Sequence, residues 1–121
     1  MMLTAEPQLF VSDIAASCAW FAAIGFAATF VHGDPPFYAQ VARDGARLNL
    51  RHVDGPVFDA AFRTREADAL AATIASEHVA ALHAEFAAAD VAFHQELRTE
   101  SWGAETFMLA DPDGNLILFA G

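Results

Sequence analysis

Phe107-Met108-Leu109-Ala110-Asp111-Pro112-Asp113-Gly114-Asn115-Leu116-Ile117-Leu118-Phe119 decides how this chain is read. An apolar run stops at Asp-Pro-Asp-Gly-Asn and a second apolar run follows. Pro112 presets φ for a turn, and Gly114 takes φ > 0 without steric cost. Two strand-like runs around such a turn predict a β-hairpin. A hairpin by itself is ordinary; its weight comes from the earlier part of the chain, which spells the same unit once before.

That earlier unit begins at Leu9-Phe10-Val11, a short β-prone run. Ser12-Asp13 follows as a helix cap, because a short oxygen-bearing side chain accepts from free N–H groups. Ile14 to Ala23 predicts a helix with Ile14, Cys18, Phe21 and Ala22 on the buried stripe, ended by Gly25. Phe26 to Val31 reads as a strand, and His32 falls in the loop that includes Gly33-Asp34-Pro35-Pro36. Phe37 to Ala42 and Ala46 to Arg51 form a hairpin around Arg43-Asp44-Gly45. His52 to Asp68 reads as a connection. Ala69 to Ser76 is a strand of poor β propensity, and Val79 to Ala89 is a helix with Val79, Leu82, His83 and Phe86 at helical spacing. Val91 to His94 reads as a strand and Leu97 to Gly103 as loop.

The halves superpose as sequences. A shift of 65 positions carries Asp13-Ile14-Ala15-Ala16 onto His78-Val79-Ala80-Ala81 and Phe21 onto Phe86. A shift of 69 carries Asp44-Gly45 onto Asp113-Gly114 and Leu48-Asn49-Leu50 onto Ile117-Leu118-Phe119. Cap, helix phenylalanine, turn and last strand recur in order. The expectation is an α+β fold of two βαβββ modules: module one over 5–53, a linker over 54–68 and module two over 69–121.

Composition bounds the function. At 121 residues the chain has the length of one domain with a real core. Hydrophobic residues make up 55% and aromatics 12%, which excludes disorder. Sixteen acidic against 6 basic residues give a net charge of −10 and no basic stripe for nucleic acid. A single cysteine, Cys18, excludes an intrachain disulfide and a multi-cysteine metal site. Ile14 to Val31 is apolar enough to raise a membrane question. It is alanine-rich, contains Ser17 and Gly25, and has no basic flank, so a cytoplasmic location without membrane attachment is expected. No histidine sits in an H-E-x-x-H spacing, and Ser17 and Ser101 lack a nucleophile-elbow setting.

With these features in hand, the chain resembles the glyoxalase/bleomycin-resistance/extradiol-dioxygenase superfamily, the vicinal oxygen chelate proteins. The resemblance rests on Pro7-Gln8-Leu9-Phe10-Val11-Ser12-Asp13, on Trp20-Phe21 through Ile24-Gly25-Phe26, and on Ala46-Arg47-Leu48-Asn49-Leu50. Trp102-Gly103 through Asp111-Pro112-Asp113-Gly114-Asn115 completes it. It implies eight strands curled around one pocket with the helices outside, within a homodimer; open sheet edges that need covering also argue for a dimer.

In the metalloenzymes of that family, four strand positions supply His, Glu or Gln to a divalent ion acting as a Lewis acid. Carried onto this chain they are Glu6, Asn49, Ala71 and Leu118. Ala71 and Leu118 have no donor atom, and Asn49 is a weak neutral one. A metal wanting about three protein ligands is not held. No metal and no cofactor are expected, and the pattern is nearest the metal-free bleomycin-resistance-like branch.

Alternation along the strands sorts the remaining side chains. Leu9, Val11, Leu48 and Leu50 face the helices, which leaves Glu6, Gln8, Phe10, Arg47, Asn49 and Arg51 on the pocket side. Leu118 supplies an apolar wall, and Tyr38 and Trp102 a rim. Phe107 reads as plain core packing, and three alternatives stay open: Glu6 as a solvated N-terminal carboxylate, Arg47 and Arg51 as a solvated strand edge, and Phe10 and Trp102 as core packing. The expected partner is a small organic ligand, one polar or anionic at one end and hydrophobic at the other. The expected function is sequestration of an antibiotic or similar molecule. The alternative is a lyase, isomerase or dioxygenase of the same superfamily with an atypical site.

Overall fold

The structure, a computed structural model, describes all 121 residues. The chain divides into two compact units, Met1–Val57 and Phe58–Gly121. The first holds β1 (Gln8–Val11), α1 (Ile14–Ala23), β2 (Ala27–His32), β3 (Tyr38–Arg43) and β4 (Ala46–His52), with sheet order β1-β4-β3-β2. The second holds α2 (Ala60–Arg65), β5 (Leu70–Ala75), α3 (Val79–Ala88), β6 (Gln95–Thr99), β7 (Glu105–Ala110) and β8 (Leu116–Ala120), with order β5-β8-β7-β6. Each sheet is mixed. Its first and last strands run parallel and the other pairs antiparallel. This is the α+β fold of two βαβββ modules that the internal repeat predicts. No helix is long and apolar enough to cross a membrane.

Strand register carries the repeat to single residues. Gln8 lies opposite Asn49, and Thr73 opposite Leu118; Leu9 lies opposite Leu50, and Ile74 opposite Phe119. Each second-unit pair is the first-unit pair moved by 65 on one strand and 69 on the other. The third strand moves by 68, since Gln40 opposite Asn49 becomes Met108 opposite Leu118. The extra residue is therefore in the β7–β8 turn, where Pro112-Asp113-Gly114 replaces Asp44-Gly45.

Helices α1 and α3 begin and end at equivalent positions. Asp13 caps α1 by accepting from the Ala16 N–H at 3.0 Å, whereas His78 makes no side-chain cap bond to α3. Gly25 follows α1 with φ +83°, and Asp90 takes the same place after α3 with φ +59°. The left-handed region suits glycine, and an L side chain there costs roughly 1–2 kcal/mol. Asp90→Gly is therefore expected to stabilise the protein by up to about 1 kcal/mol, the flexibility of unfolded glycine offsetting part of the gain. Urea denaturation of the variant checks it, and a lower midpoint at unchanged slope is the contrary result.

The cores match the alternation read from the strands. In the first unit Leu9, Val11, Ile14, Phe21, Ile24, Val41, Leu48 and Leu50 are buried. In the second, Val79, Phe86, Phe107, Leu109, Ile117 and Phe119 are. Phe107 is core, as expected, while Phe10 and Trp102 are exposed and not core packing.

Several local readings change. Ser17, not Cys18, is on the buried stripe of α1, and Ala22 is exposed. The Ile14–Ser17–Phe21–Ile24 spacing puts that position inward, and the serine hydroxyl there has no hydrogen-bond partner. Cys18 is half-buried, and burial pushes its thiol pKa up, away from the reactive thiolate form. His32 closes β2 instead of lying in a loop. The connection holds a helix, α2, capped by Asp59, whose carboxylate accepts from the Phe62 N–H at 2.6 Å. Arg63 lies 4.3 Å over the Phe58 ring and donates to the carbonyls of Glu66, Ala69 and Gly114. The linker helix is thereby tied to the turn of the tail hairpin. Finally, the edge strand beside β7 is Gln95–Thr99, which takes in the start of the Leu97–Gly103 stretch that reads as loop, and Val91–His94 is not a strand. Phe93 stacks on His83 at 4.3 Å and covers the helix instead of joining the ladder.

Candidate ligand-binding face of the first sheet

Burial of Leu48 and Leu50 against the core turns the alternate residues of β4 to the opposite face. Register then sets out that face in rows. Phe10, Arg51, Tyr38 and His32 lie across β1, β4, β3 and β2, and Gln8, Asn49, Gln40 and Phe30 form the next row. Arg47 lies opposite Ala42 one row further on. Seven residues singled out from sequence are thus on one face of the first unit: Glu6, Gln8, Phe10, Tyr38, Arg47, Asn49 and Arg51.

Glu6 precedes β1 and is the hub of the polar half. Its Oε1 accepts from Gln40 Nε2 at 3.1 Å and from Asn49 Nδ2 at 3.2 Å. Gln40 Nε2 also donates to Asn49 Oδ1 at 3.1 Å, and its own Oε1 accepts from the Thr29 hydroxyl at 2.9 Å. The Arg47 guanidinium stands 3.8 Å from Glu6 Oε2. Glu6 is therefore held by neutral amides with an arginine alongside, not left loose in solvent; its side chain is only 25% exposed. Tyr38 donates its hydroxyl to Gln8 Oε1 at 3.1 Å. Phe30 stacks on Tyr38 with ring centres 6.2 Å apart, and His32 lies tilted 4.9 Å from Phe30. The face grades from a polar corner at Glu6 to an aromatic row at His32, Tyr38 and Phe10.

Gln40, Phe30 and His32 are additions to the sequence reading. Gln40 is legible from alternation along β3, since it and the rim residue Tyr38 flank the buried Ala39 in a strand of in–out pattern. Phe30 and His32 carried no such signal, because β2 is an edge strand exposed on nearly every residue.

Leu118 and Trp102 belong to the second unit. Leu118 is half-buried on the face of β8 turned away from the Phe107–Phe119 core, as its parity implies. Trp102 is 75% exposed in the turn between β6 and β7. Beside it, Glu100 accepts from Arg98 Nε at 2.6 Å and from the Thr106 hydroxyl at 2.8 Å. Those two donors, Arg98 first, lower its carboxyl pKa below the ordinary value.

A divalent metal of the kind the resemblance brings to mind does not fit these residues. Register makes Ala71 and Leu118 the second-unit counterparts of Glu6 and Asn49, and neither has a donor atom. The Glu6 oxygen already takes two amide N–H groups, and no three His, Cys, Asp or Glu side chains gather in metal-binding geometry. A hollow of about 230 Å³ lies elsewhere in the first unit, lined by Ser12, Asp13, Pro35, Pro36 and His52. There the Asp13 carboxylate is committed to its helix cap, and His52 contacts Asp54 at 3.1 Å.

Comparison with known proteins agrees with this architecture. Among solved structures, a bleomycin-binding protein complexed with bleomycin is 17% identical with a TM-score of 0.77, covering 98% of both chains. A bleomycin-binding protein from bleomycin-producing Streptomyces verticillus, complexed with copper(II)-bleomycin, is 26% identical at TM-score 0.75, covering 98% of this chain and 95% of the other. A glyoxalase-related enzyme from Clostridium phytofermentans is 19% identical at TM-score 0.76, covering 99% and 95%. Among curated proteins none matches. The model of the glyoxalase/bleomycin resistance protein/dioxygenase superfamily matches residues 4–119, the span that holds both βαβββ units. By that match and by its repeated fold, the chain belongs to the glyoxalase/bleomycin resistance protein/dioxygenase superfamily.

Proposed function

We propose that this protein binds and sequesters a small organic molecule, an antibiotic or a similar compound, without metal chemistry. The observation that carries the reading is the fate of the four positions at which metalloenzymes of the superfamily place their ligands. Glu6 and Asn49 are bonded to each other and to Gln40, while Ala71 and Leu118 offer nothing. Metal-assisted isomerase, lyase or dioxygenase chemistry does not fit this donor set. Ordered polar groups beside an aromatic row suit recognition, in which few oriented polar atoms fix a mostly apolar guest. Two of the similar structures are bleomycin-binding proteins solved with their ligand, which supports a binding role. The reading includes a homodimer in the cytoplasm.

A thermal-shift screen against antibiotics and metabolites tests this, because a ligand that binds only the native state raises its melting temperature. A hit is expected from protein that carries no stoichiometric transition metal by elemental analysis. Asn49→Ala, which removes one of the two donors to Glu6, is expected to weaken that ligand by about 1–2 kcal/mol while the protein stays folded. One zinc, nickel, manganese or iron per chain surviving dialysis sinks the metal-free reading. Unchanged affinity in the folded variant removes Asn49 from the site.

A further inference from the structure

The arginines of the first unit are not equivalent. Arg43 donates to the Ile24 carbonyl at the end of α1, and Arg47 faces Glu6. Arg51 has neither a carboxylate nor a carbonyl partner in a chain with 16 acidic residues. Its neighbours across the sheet are Phe10 on one side and Tyr38 on the other, and its guanidinium lies 5.9 Å from the centre of the Phe10 ring. Beyond Tyr38 the row ends in His32; Phe30 stacks on Tyr38 and lies tilted against His32. An exposed cation is thus set in an aromatic row, on the side of the face away from Glu6.

Resting on the binding role proposed above, we infer that the ligand is a planar aromatic acid whose carboxylate pairs with Arg51 and whose ring lies on the aromatic row. A guanidinium matches a carboxylate with two parallel N–H donors, a geometry that neutral or cationic guests do not use. The Arg51 guanidinium carbon lies 5.9 Å from the Phe10 ring centre, at the outer reach of a cation–π contact, and its N–H groups meet no carboxylate or carbonyl of the protein. Tyr38 and Phe30 give a flat ring an offset-stacking surface. The overall charge of −10 does not forbid an anion. At physiological ionic strength charges beyond about 8 Å are screened, and the contact cation decides. The Glu6 carboxylate stands two rows away with Arg47 and two amides around it.

Three probes of one shape separate the possibilities: 1-naphthoate, 1-naphthamide and 1-naphthylmethylammonium. Their affinities are read by titration into isotope-labelled protein with amide chemical shifts as the signal. Naphthoate is expected to bind at least about ten-fold tighter than naphthamide, with shifts centred on β1, β3 and β4. Arg51→Gln is expected to abolish that advantage and Arg51→Lys to keep part of it. Arg65→Gln, an equal change of charge on the linker helix, is expected to keep all of it. Arg51 is exposed, so its variants are expected to melt where the parent does; should one fail to fold, the naphthoate-to-naphthamide ratio in the parent still decides. Equal binding of acid and amide, or preference for the ammonium, overturns the inference while small-molecule binding stands. No binding by any of the three overturns it as well, and the broad screen then decides the binding role separately.

Discussion

Phe86→Ala is expected to lower the free energy of unfolding by about 3–5 kcal/mol, the usual cost of emptying an aromatic site in a core that cannot collapse. Phe86 is 1% exposed on α3. It packs edge-on against Phe107 at 5.8 Å and Phe119 at 5.5 Å, and those two rings stack on each other at 4.8 Å. Removing it strips the packed side of both sheet rings and unpins the helix. Since small domains hold only about 5–15 kcal/mol in total, the variant should be close to unfolding at room temperature. Phe86→Leu keeps most of the volume and should cost less. Guanidinium denaturation measures both. A loss below about 1 kcal/mol for the alanine variant would mean that α3 does not pack on this sheet as described.

Phe86 also shows why the fold could be read from the chain. Phe21 recurs 65 positions later as Phe86 at the same helix position, and both are buried. A helix must bury one stripe and a sheet one face, so the repeat of an inward phenylalanine between a cap and a hairpin left few architectures open. What escaped was structure with little apolar burial. The linker helix Ala60–Arg65 has no fully buried residue; besides the Asp59 cap it is held by Arg63, which reaches past the nearby Glu66 and Ala69 carbonyls to that of Gly114, far along the chain. The edge strand Gln95–Thr99 alternates weakly, with an irregular register to β7, so the apolar Val91 and Phe93 before it attracted the assignment.

The candidate face was legible for a similar reason. Period-two alternation fixes a side once one buried residue is known, and Leu48 and Leu50 fixed it for Arg47, Asn49 and Arg51. Sequence could not tell which polar groups spend their hydrogen bonds on each other. The Glu6–Gln40–Asn49 triangle joins β4, β3 and the segment before β1, and only register brings these together. That pairing makes Asn49 a positioner of Glu6. It also leaves Arg51 as the ion on this face without a protein counterpart.

The tail turn has its own test, and the result should depend on pH. Asp111 is 5% exposed at the end of β7. Its carboxylate accepts from the Asp113 N–H at 2.9 Å, the Asn115 N–H at 2.7 Å and the Asn115 side-chain amide at 2.9 Å. Asp111→Ala leaves those donors without their acceptor, and Asn115 is itself 3% exposed, so a loss of about 2–4 kcal/mol is expected near neutral pH. The carboxyl is not simply stabilised by these bonds. Burial is the larger influence and raises its pKa above the ordinary 3.8, with the Asn115 and Asp113 bonds pulling the other way. A raised carboxyl pKa means that the folded state holds the proton more tightly than the unfolded chain. Its contribution to stability is therefore greatest below 3.8 and falls as pH rises through the folded value. Glu100 has the opposite sign, its lowered pKa giving stability that is lost on acidification. Subtracting a neutral variant isolates Asp111. Asp111→Asn keeps one acceptor oxygen for the two backbone N–H groups, so it should cost less than alanine. It should also lack the fall with rising pH that Asp111 contributes. Urea midpoints of the parent and Asp111→Asn, followed from about pH 3 to pH 7, should show the parent losing ground as pH increases. Parallel profiles would mean that the carboxyl titrates alike in the folded and unfolded chain, and that burial in the turn does not govern it.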